Sequence, residues 1–206
     1  MLPPLDRSFY QKSAVQVAPT LLGKTLQVNL DGNPVAGIII EAEAYQGEGD
    51  LACHAKSGKT NRTRVMYGPA GHAYVYFTYG QHWMFNIVTD QKEEPAAVLI
   101  RAIRPTLGLD LIAQRRHPRP ASIWCDGPAK LCQALGINGS HNGLDLCQPD
   151  GLIQITEGIQ VPQANIRQCP RIGLGSTPEP WLSIPWRFYL PTIYPLPESP
   201  NQPTKL

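Results

Sequence analysis

Lys24-Thr-Leu-Gln-Val-Asn-Leu30, then Asp31-Gly32-Asn33-Pro34, then Val35-Ala-Gly-Ile-Ile-Ile-Glu41 is the stretch whose reading decides the fold class. The first segment alternates apolar and polar residues with the period of two that a half-buried strand requires. The second supplies turn chemistry, because Asp, Gly and Asn tolerate the left-handed backbone of a tight hairpin. The third is rich in β-branched residues, which pack well on a pleated surface. Together they predict an antiparallel hairpin whose second strand delivers Glu41 and Glu43 at its end. If the alternation persists, Glu41, Glu43 and Tyr45 point to one face.

Outward from this hairpin the same signals recur. Ala73–Tyr79, Met84–Val88 and Ala97–Ile103 read as three further strands, and Gly151–Thr156 and Trp186–Leu190 as two late ones. Ser13–Gly23 reads as a helix, with Ser13 as its N-cap and Gly23 as its stop. A second helix runs from Leu107 to Arg116, and Pro118 and Pro120 prevent its continuation. A third covers Pro128–Leu135, with Pro in the first turn and Gly136 at the end. Residues 46–72, rich in Gly, Ser, Thr, Lys and Arg, read as a long functional loop. No repeat or internal linker divides the chain. The expectation is one α+β domain over residues 1–190, mainly an antiparallel curved sheet with flanking helices, and a proline-rich tail over 191–206.

Composition narrows the function classes. The 206 residues are 42% apolar, enough for one core, and their 21 prolines and 18 glycines disfavour a helical bundle. No apolar run is long enough to span a membrane, and the N-terminus lacks the basic and apolar regions of a secretion signal. The five cysteines are scattered without a Cys-x-x-Cys pair, so they read as small buried thiols of a reducing cytoplasm. His54, His72 and His82 lack metal-ligand spacing, and no phosphate-cradle or dinucleotide motif occurs, so no metal and no cofactor is expected. A Gly-x-Ser-x-Gly nucleophile elbow is also absent.

Charge is unevenly distributed. Residues 51–125 hold ten Lys or Arg against four acids, whereas the rest holds eight against twelve. From Leu51 to Thr89 there is no carboxylate at all. A basic region inside a chain of net charge +2 is what a localised polyanion contact requires. Tyr74, Tyr76 and Tyr79 lie within this stretch; in a strand the first two share a face and Tyr79 falls on the other, near a turn at Gly80. Aromatics among cations suit stacking on bases and gripping phosphates, and equally suit ordinary strand packing. Glu41 and Glu43, ending an apolar strand beside these cations, are general-base candidates. Acids that keep a strand edge soluble would look the same.

The motifs, taken in order, resemble one family. Glu41-Ala-Glu-Ala-Tyr45, His54, Met66-Tyr67-Gly68, Tyr74-Val-Tyr-x-x-Tyr-Gly80 and Asn86-Ile87 are similar to the alkyladenine (3-methyladenine) DNA glycosylases. Val98-Leu-Ile-Arg-Ala102, Gly127-Pro-Ala-Lys-Leu131, Arg171-Ile-Gly173 and Trp186-Arg-Phe-Tyr189 extend the resemblance to about residue 190. It implies a fold like an accessory domain of tRNA-modifying formyltransferases, with a protruding β-hairpin. It also implies a monomeric, monofunctional glycosylase that hydrolyses alkylated or deaminated purines from double-stranded DNA and leaves an abasic site. Such an enzyme works in the cytoplasm at the nucleoid of a bacterium, or in the nucleus of a eukaryote.

The resemblance assigns roles by position. Glu43 becomes the base that activates water, ionised at its ordinary pKa, and Arg101 helps hold that water with a contact from the Ile172 main chain. Tyr45, His54 and Tyr76 become the pocket that sandwiches the extruded base, and Asn86 the gatekeeper against normal guanine. Tyr79 becomes the wedge that enters the duplex. Lys56, Lys59, Arg62 and Arg64 become phosphate contacts. Gln81 and His82 depart from the apolar or aromatic residues frequent there, and Lys92-Glu93-Glu94-Pro95 lengthens a turn. Two other readings remain: a non-catalytic nucleic-acid-binding module, and a carbohydrate hydrolase using Glu41 and Glu43.

Overall fold

The two-residue turn at Asp31 and Gly32, both left-handed (φ 52° and 76°), closes the hairpin. The second strand therefore starts at Asn33, and Pro34 pairs with Asn29 inside the ladder rather than in the turn. Proline is tolerated there because pairing on the other side of the strand begins only at Ala36. The computed structural model describes residues 2–191. The proline-rich tail predicted for 191–206 thus lies, past its first residue, outside the described residues.

In chain order the elements are α1 (Arg7–Tyr10), α2 (Ala14–Leu21), β1 (Thr25–Leu30), β2 (Asn33–Gln46), β3 (Ala73–Thr78) and β4 (His82–Val88). They continue with β5 (Ala96–Leu107), α3 (Leu109–Arg116), α4 (Pro128–Leu135), β6 (Ile153–Thr156), β7 (Arg167–Cys169) and β8 (Arg187–Tyr189). One mostly antiparallel sheet runs β3-β4-β5-β2-β1-β6, with β8 against β2 and β7 against β8. The mixed α+β class expected from the sequence is what forms. Ser13 caps α2 by accepting from the Gln16 amide, and Gly136 ends α4 in the left-handed conformation (φ 77°).

β2 departs from expectation: it does not end near Glu41 but runs to Gln46, because β5 pairs beside it from Ala36 to Gln46. This places Glu41, Glu43 and Tyr45 inside a paired strand. The β2–β5 register skips Ile40 on one strand and Arg101 on the other. Such bulges shift the alternation of faces. Before the bulge Val35 and Ile39 join the main core; after it Ala42 and Ala44 do. On β5 the core positions change likewise, from Ala96, Val98 and Ile100 to Ile103. Without the shift Glu43 would lie on the same face as Ile39.

The core face is covered by α2, through Val17, Ala18 and Leu21, and by α4, through Leu131 and Leu135. Burying each such aliphatic side chain stabilises the fold by about 1.5–3 kcal/mol. The opposite face is covered by residues 46–72. Cys53, Ala55, Met66 and Tyr67 pack there on Tyr74, Val88 and Ala97. This long loop is organised by 3-10 turns at His54–Ser57 and Arg64–Tyr67. Those turns, α1 and β7 had no periodic signature in the sequence, since each is four residues or fewer. All five cysteines are free; Cys53, Cys125 and Cys132 are buried, whereas Cys147 and Cys169 are only partly so.

Candidate active site

The bulge turns a second side of β2–β5 toward a cavity of about 380 Å³. Alternate residues supply its walls: Tyr45 from β2, Tyr74 and Tyr76 from β3, Asn86 from β4, Leu99 and Arg101 from β5. His54 closes it from the long loop, and Ile172 from the segment before β8. Every residue that the resemblance assigned to the base pocket therefore lines one cavity.

Glu43 lies just behind this wall, with no solvent-exposed surface. Its Oε1 accepts from the Ile172 amide (2.8 Å) and lies 3.3 Å from Arg101 Nη1; its Oε2 accepts from Tyr45 Oη (2.9 Å). The Ile172 amide thus touches the carboxylate itself. The expectation of an untuned acid is corrected. Burial pushes the Glu43 carboxyl above its ordinary value, and Arg101, the Ile172 N–H and the Tyr45 hydroxyl only partly oppose it. A carboxylate offers about four acceptor positions. Three donors occupy Glu43, which leaves one position, on Oε2, for a further proton donor.

Glu41 stands beside Glu43 on the same face and accepts from Arg101 Nε (2.9 Å) and Arg187 Nη1 (2.9 Å). Two carboxylates sharing one guanidinium on one strand do not face each other across a cleft, as a pair of glycosidase carboxylates must. That geometry removes the carbohydrate-hydrolase reading.

The aromatic wall is held by a small network. Arg62 donates to His54 Nε2 (3.3 Å), so His54 Nδ1 carries the proton toward Tyr74 Oη (3.0 Å). The His54 ring meets Tyr76 edge-on at 4.6 Å, and the Arg62 guanidinium covers the Tyr76 ring at 4.9 Å. Burial, with Arg62 and Lys56 nearby, lowers the His54 pKa from 6.5 to about 4. The unfolded chain therefore binds the His54 proton more tightly than the native protein. Its contribution to stability is complete above pH 6.5 and is lost as pH falls toward 4. Thermal melts across that window are expected to show a decline that His54→Gln flattens; parallel curves for both proteins would contradict it. Asn86 is buried and donates through Nδ2 to the Tyr74 carbonyl (3.0 Å), which fixes its side chain at the cavity wall.

Tyr79 does not follow the strand alternation. β3 ends at Thr78, and Tyr79, Gly80 and Gln81 form the β3–β4 turn, the first two with left-handed backbones (φ 52° and 65°). Tyr79 is 82% exposed at this tip, yet it lines the same cavity as Tyr76 rather than an opposite face. The turn, not the pleat, sets its direction. The basic residues also have local partners. Lys59 pairs with Glu93 (2.9 Å), from the lengthened β4–β5 turn, and Lys56 donates to the Leu51 carbonyl (2.9 Å) beside the cavity. Arg64 opens the second 3-10 turn and is exposed.

Two residues at the heart of the site escaped sequence reasoning. Asp50 and Arg171 are fully buried and paired, with Arg171 Nη2 2.9 Å from Asp50 Oδ1. Asp50 also accepts from the Gln46 and Ala52 amides (3.1 and 3.0 Å), and Arg171 donates to the Ala44 and Trp181 carbonyls (3.0 and 3.2 Å). The guanidinium lies between the rings of Tyr45 (4.8 Å) and Trp186 (5.1 Å). This pair ties the start of the long loop to the segment that presents the Ile172 amide. The sequence hints were that Arg171 opens the Arg171-Ile-Gly173 motif, with no role attached to it, and that Asp50 is the last acid before the acid-free stretch. Among the described residues, no group of His, Cys, Asp and Glu could hold a metal ion, and no helix is long and apolar enough to cross a membrane.

Known proteins share this arrangement of sequence. The profile of the methylpurine-DNA glycosylases matches residues 8–193. A protein of Myxococcus xanthus is 44% identical over 186 residues, covering 90% of this chain and 89% of its own. One of Methanocella arvoryzae is 45% identical over 193 residues, covering 91% and 92%. One of Rhodopseudomonas palustris is 44% identical over 188 residues, covering 91% and 87%. All three carry the provisional name 3-methyladenine DNA glycosylase. A match that spans nearly the whole sheet, the cavity wall and the Asp50–Arg171 tie leaves one conclusion: the chain belongs to the methylpurine-DNA glycosylase family.

Proposed function

We propose that this protein removes alkylated purines from double-stranded DNA by flipping the nucleotide into the cavity and hydrolysing its N-glycosidic bond. The observation that carries this reading is Glu43: a buried carboxylate with one acceptor position left, directly behind an aromatic cavity. Water held at that position would lose its proton to Glu43 as it attacks the sugar C1′. Positive charge develops on the sugar as the base departs, and the carboxylate stabilises it. Arg101 and the Ile172 amide orient the carboxylate. Lys56, the lysine that borders the cavity, is engaged by the Leu51 carbonyl, and none of the groups on Glu43 is an amine. Water as nucleophile leaves an abasic site with the strand intact.

Tyr45, His54 and Tyr76 supply the stacking surfaces. A cationic methylated purine is favoured on tyrosine faces, and a neutral His54 adds no repelling charge. Stacking contributes about 1–3 kcal/mol per base, comparable to the few kcal/mol that extrusion costs. Asn86, fixed by its bond to Tyr74, stands where the 2-amino group of a normal guanine would crowd it. Lys56, Lys59, Arg62 and Arg64 lie on the loop that borders the cavity and would contact phosphates in a salt-sensitive way. The protein would act as a monomer on lesion-bearing duplex.

Tyr79, projecting from the hairpin tip, would fill the gap left in the stack. Tyr79→Ser is expected to weaken binding to a duplex bearing an abasic analogue by about tenfold. It should leave single-strand binding and the melting temperature nearly unchanged. Equal weakening on duplex and single strand would remove the wedge from this account.

A further inference from the structure

Glu41 is not needed by the proposed chemistry, yet it is held by two half-buried guanidinium groups. Its Oε1 receives both Arg101 Nε and Arg187 Nη1 at 2.9 Å, and all three side chains are only 13–21% exposed. Arg101 is the residue skipped in the β2–β5 pairing, and its side chain reaches both carboxylates. The distances differ. Arg101 makes its short contact with Glu41 and only a longer one, 3.3 Å through Nη1, with Glu43.

An Arg beside a lone carboxylate closes on it as a fork, with two parallel N–H donors on its two oxygens. On Glu43 that fork would fill the one acceptor position left on Oε2. It would also lower the basicity of the group. We infer that Glu41 is a positioning residue for the glycosylase reaction: by holding Arg101 through Nε, and being held itself by Arg187, it keeps the guanidinium from chelating Glu43. Arg187 sits opposite Glu43 on β8, so the tie crosses the strand pair and fixes Glu41 in turn. The inference rests on the reading of Glu43 as the water-activating base.

The charges act in the same direction. Glu41 helps raise the Glu43 carboxyl, against the pull of Arg101. The other titratable groups around the pair are Tyr45, Tyr76, Cys169 and Arg187, none of which changes charge in the acid range where Glu43 does. His54, which packs on Tyr76 and is lowered to about 4, does titrate there, but its hydrogen-bond partners are Arg62 and Tyr74, which Glu41→Gln leaves untouched. An acid-limb shift on removing Glu41 therefore reports on Glu43 and Arg101.

The test is single-turnover purine release from methylated duplex DNA by the full chain, followed down the acid limb of its pH profile. Wild type, Glu41→Gln, Glu41→Asp and Glu43→Gln are compared, each with its melting temperature. Glu41→Gln is expected to slow release by about a hundredfold, as misplacement of a reacting group does. Its acid midpoint should move to lower pH, because Arg101 then sits closer to Glu43 and the Glu41 charge is gone. Glu41→Asp keeps the charge and should restore the midpoint and part of the rate. A Glu41→Gln enzyme with wild-type rate and midpoint overturns the inference. So does a slower enzyme whose midpoint is unmoved while its melting temperature falls, since that is the signature of a strand staple. Undiminished release by Glu43→Gln overturns the reading of Glu43 itself and is visible without the Glu41 variants.

Discussion

Replacing Glu43 by Gln is expected to slow purine release by about two to four orders of magnitude, the usual contribution of a positioned general base. The same change should leave the melting temperature at neutral pH equal to or above that of the wild type. The sign follows from the raised pKa. Between its ordinary value of 4.5 and the raised one, the native protein binds more protons at Glu43 than the unfolded chain does. Its contribution to stability is present below about 4.5 and is lost as pH rises, so the ionised carboxylate is a burden at neutrality. Gln carries no charge, and its oxygen can still accept from the Ile172 amide. Arg101 keeps Glu41 as a partner and is not left unpaired. Binding to an abasic analogue should persist, because the cavity walls are unchanged. Release at the wild-type rate would remove Glu43 from the mechanism; absence of release by the wild type itself would return the non-catalytic binding module to favour.

The largest stability effect is expected at Asp50 and Arg171. Arg171→Met strands a buried carboxylate, and Asp50→Asn strands a buried guanidinium. Breaking a buried pair from one side costs about 3–5 kcal/mol, because the remaining charge has no solvent. For a chain of this length that lowers the melting temperature by roughly 10 °C. Arg171 also serves two aromatic rings and two carbonyls, so its loss should be the more severe. The double variant Asp50→Asn with Arg171→Met should recover part of the loss, since no uncompensated charge remains. Additive losses in the two single variants would show that the pair is not coupled. Because the pair holds the segment that presents the Ile172 amide to Glu43, Asp50→Asn should also slow release. That slowing should appear in the rate at saturating DNA more than in the affinity.

Local chemistry made much of the fold legible. The Asp31-Gly32 turn, the Ser13 cap and the Pro128 and Gly136 boundaries each follow from one residue's backbone or hydrogen-bonding preference, and each was found where expected or within two residues of it. The strand alternation put Glu41, Glu43 and Tyr45 on one face, which the site requires. It failed at Tyr79, where a turn replaces the pleat, and it placed the end of β2 too early. The apolar run from Val35 to Ile40 looked complete, because the ladder that extends the strand to Gln46 is supplied by β5, some 60 residues away in sequence.

By itself the sequence determined the antiparallel α+β class, the polar loop that borders the site, and the residue types available for base stacking and water activation. These depend on period, turn chemistry and motif order, all of which are local or read in one dimension. Only the tertiary structure decided which face Glu43 occupies, which carboxylate Arg101 grips, and what holds the Ile172 amide in place. A bulge that shifts two strands by one residue each, and a buried ion pair joining positions 50 and 171, leave no periodic trace. Their energies come from desolvation and pairing between segments that meet only when the chain has folded.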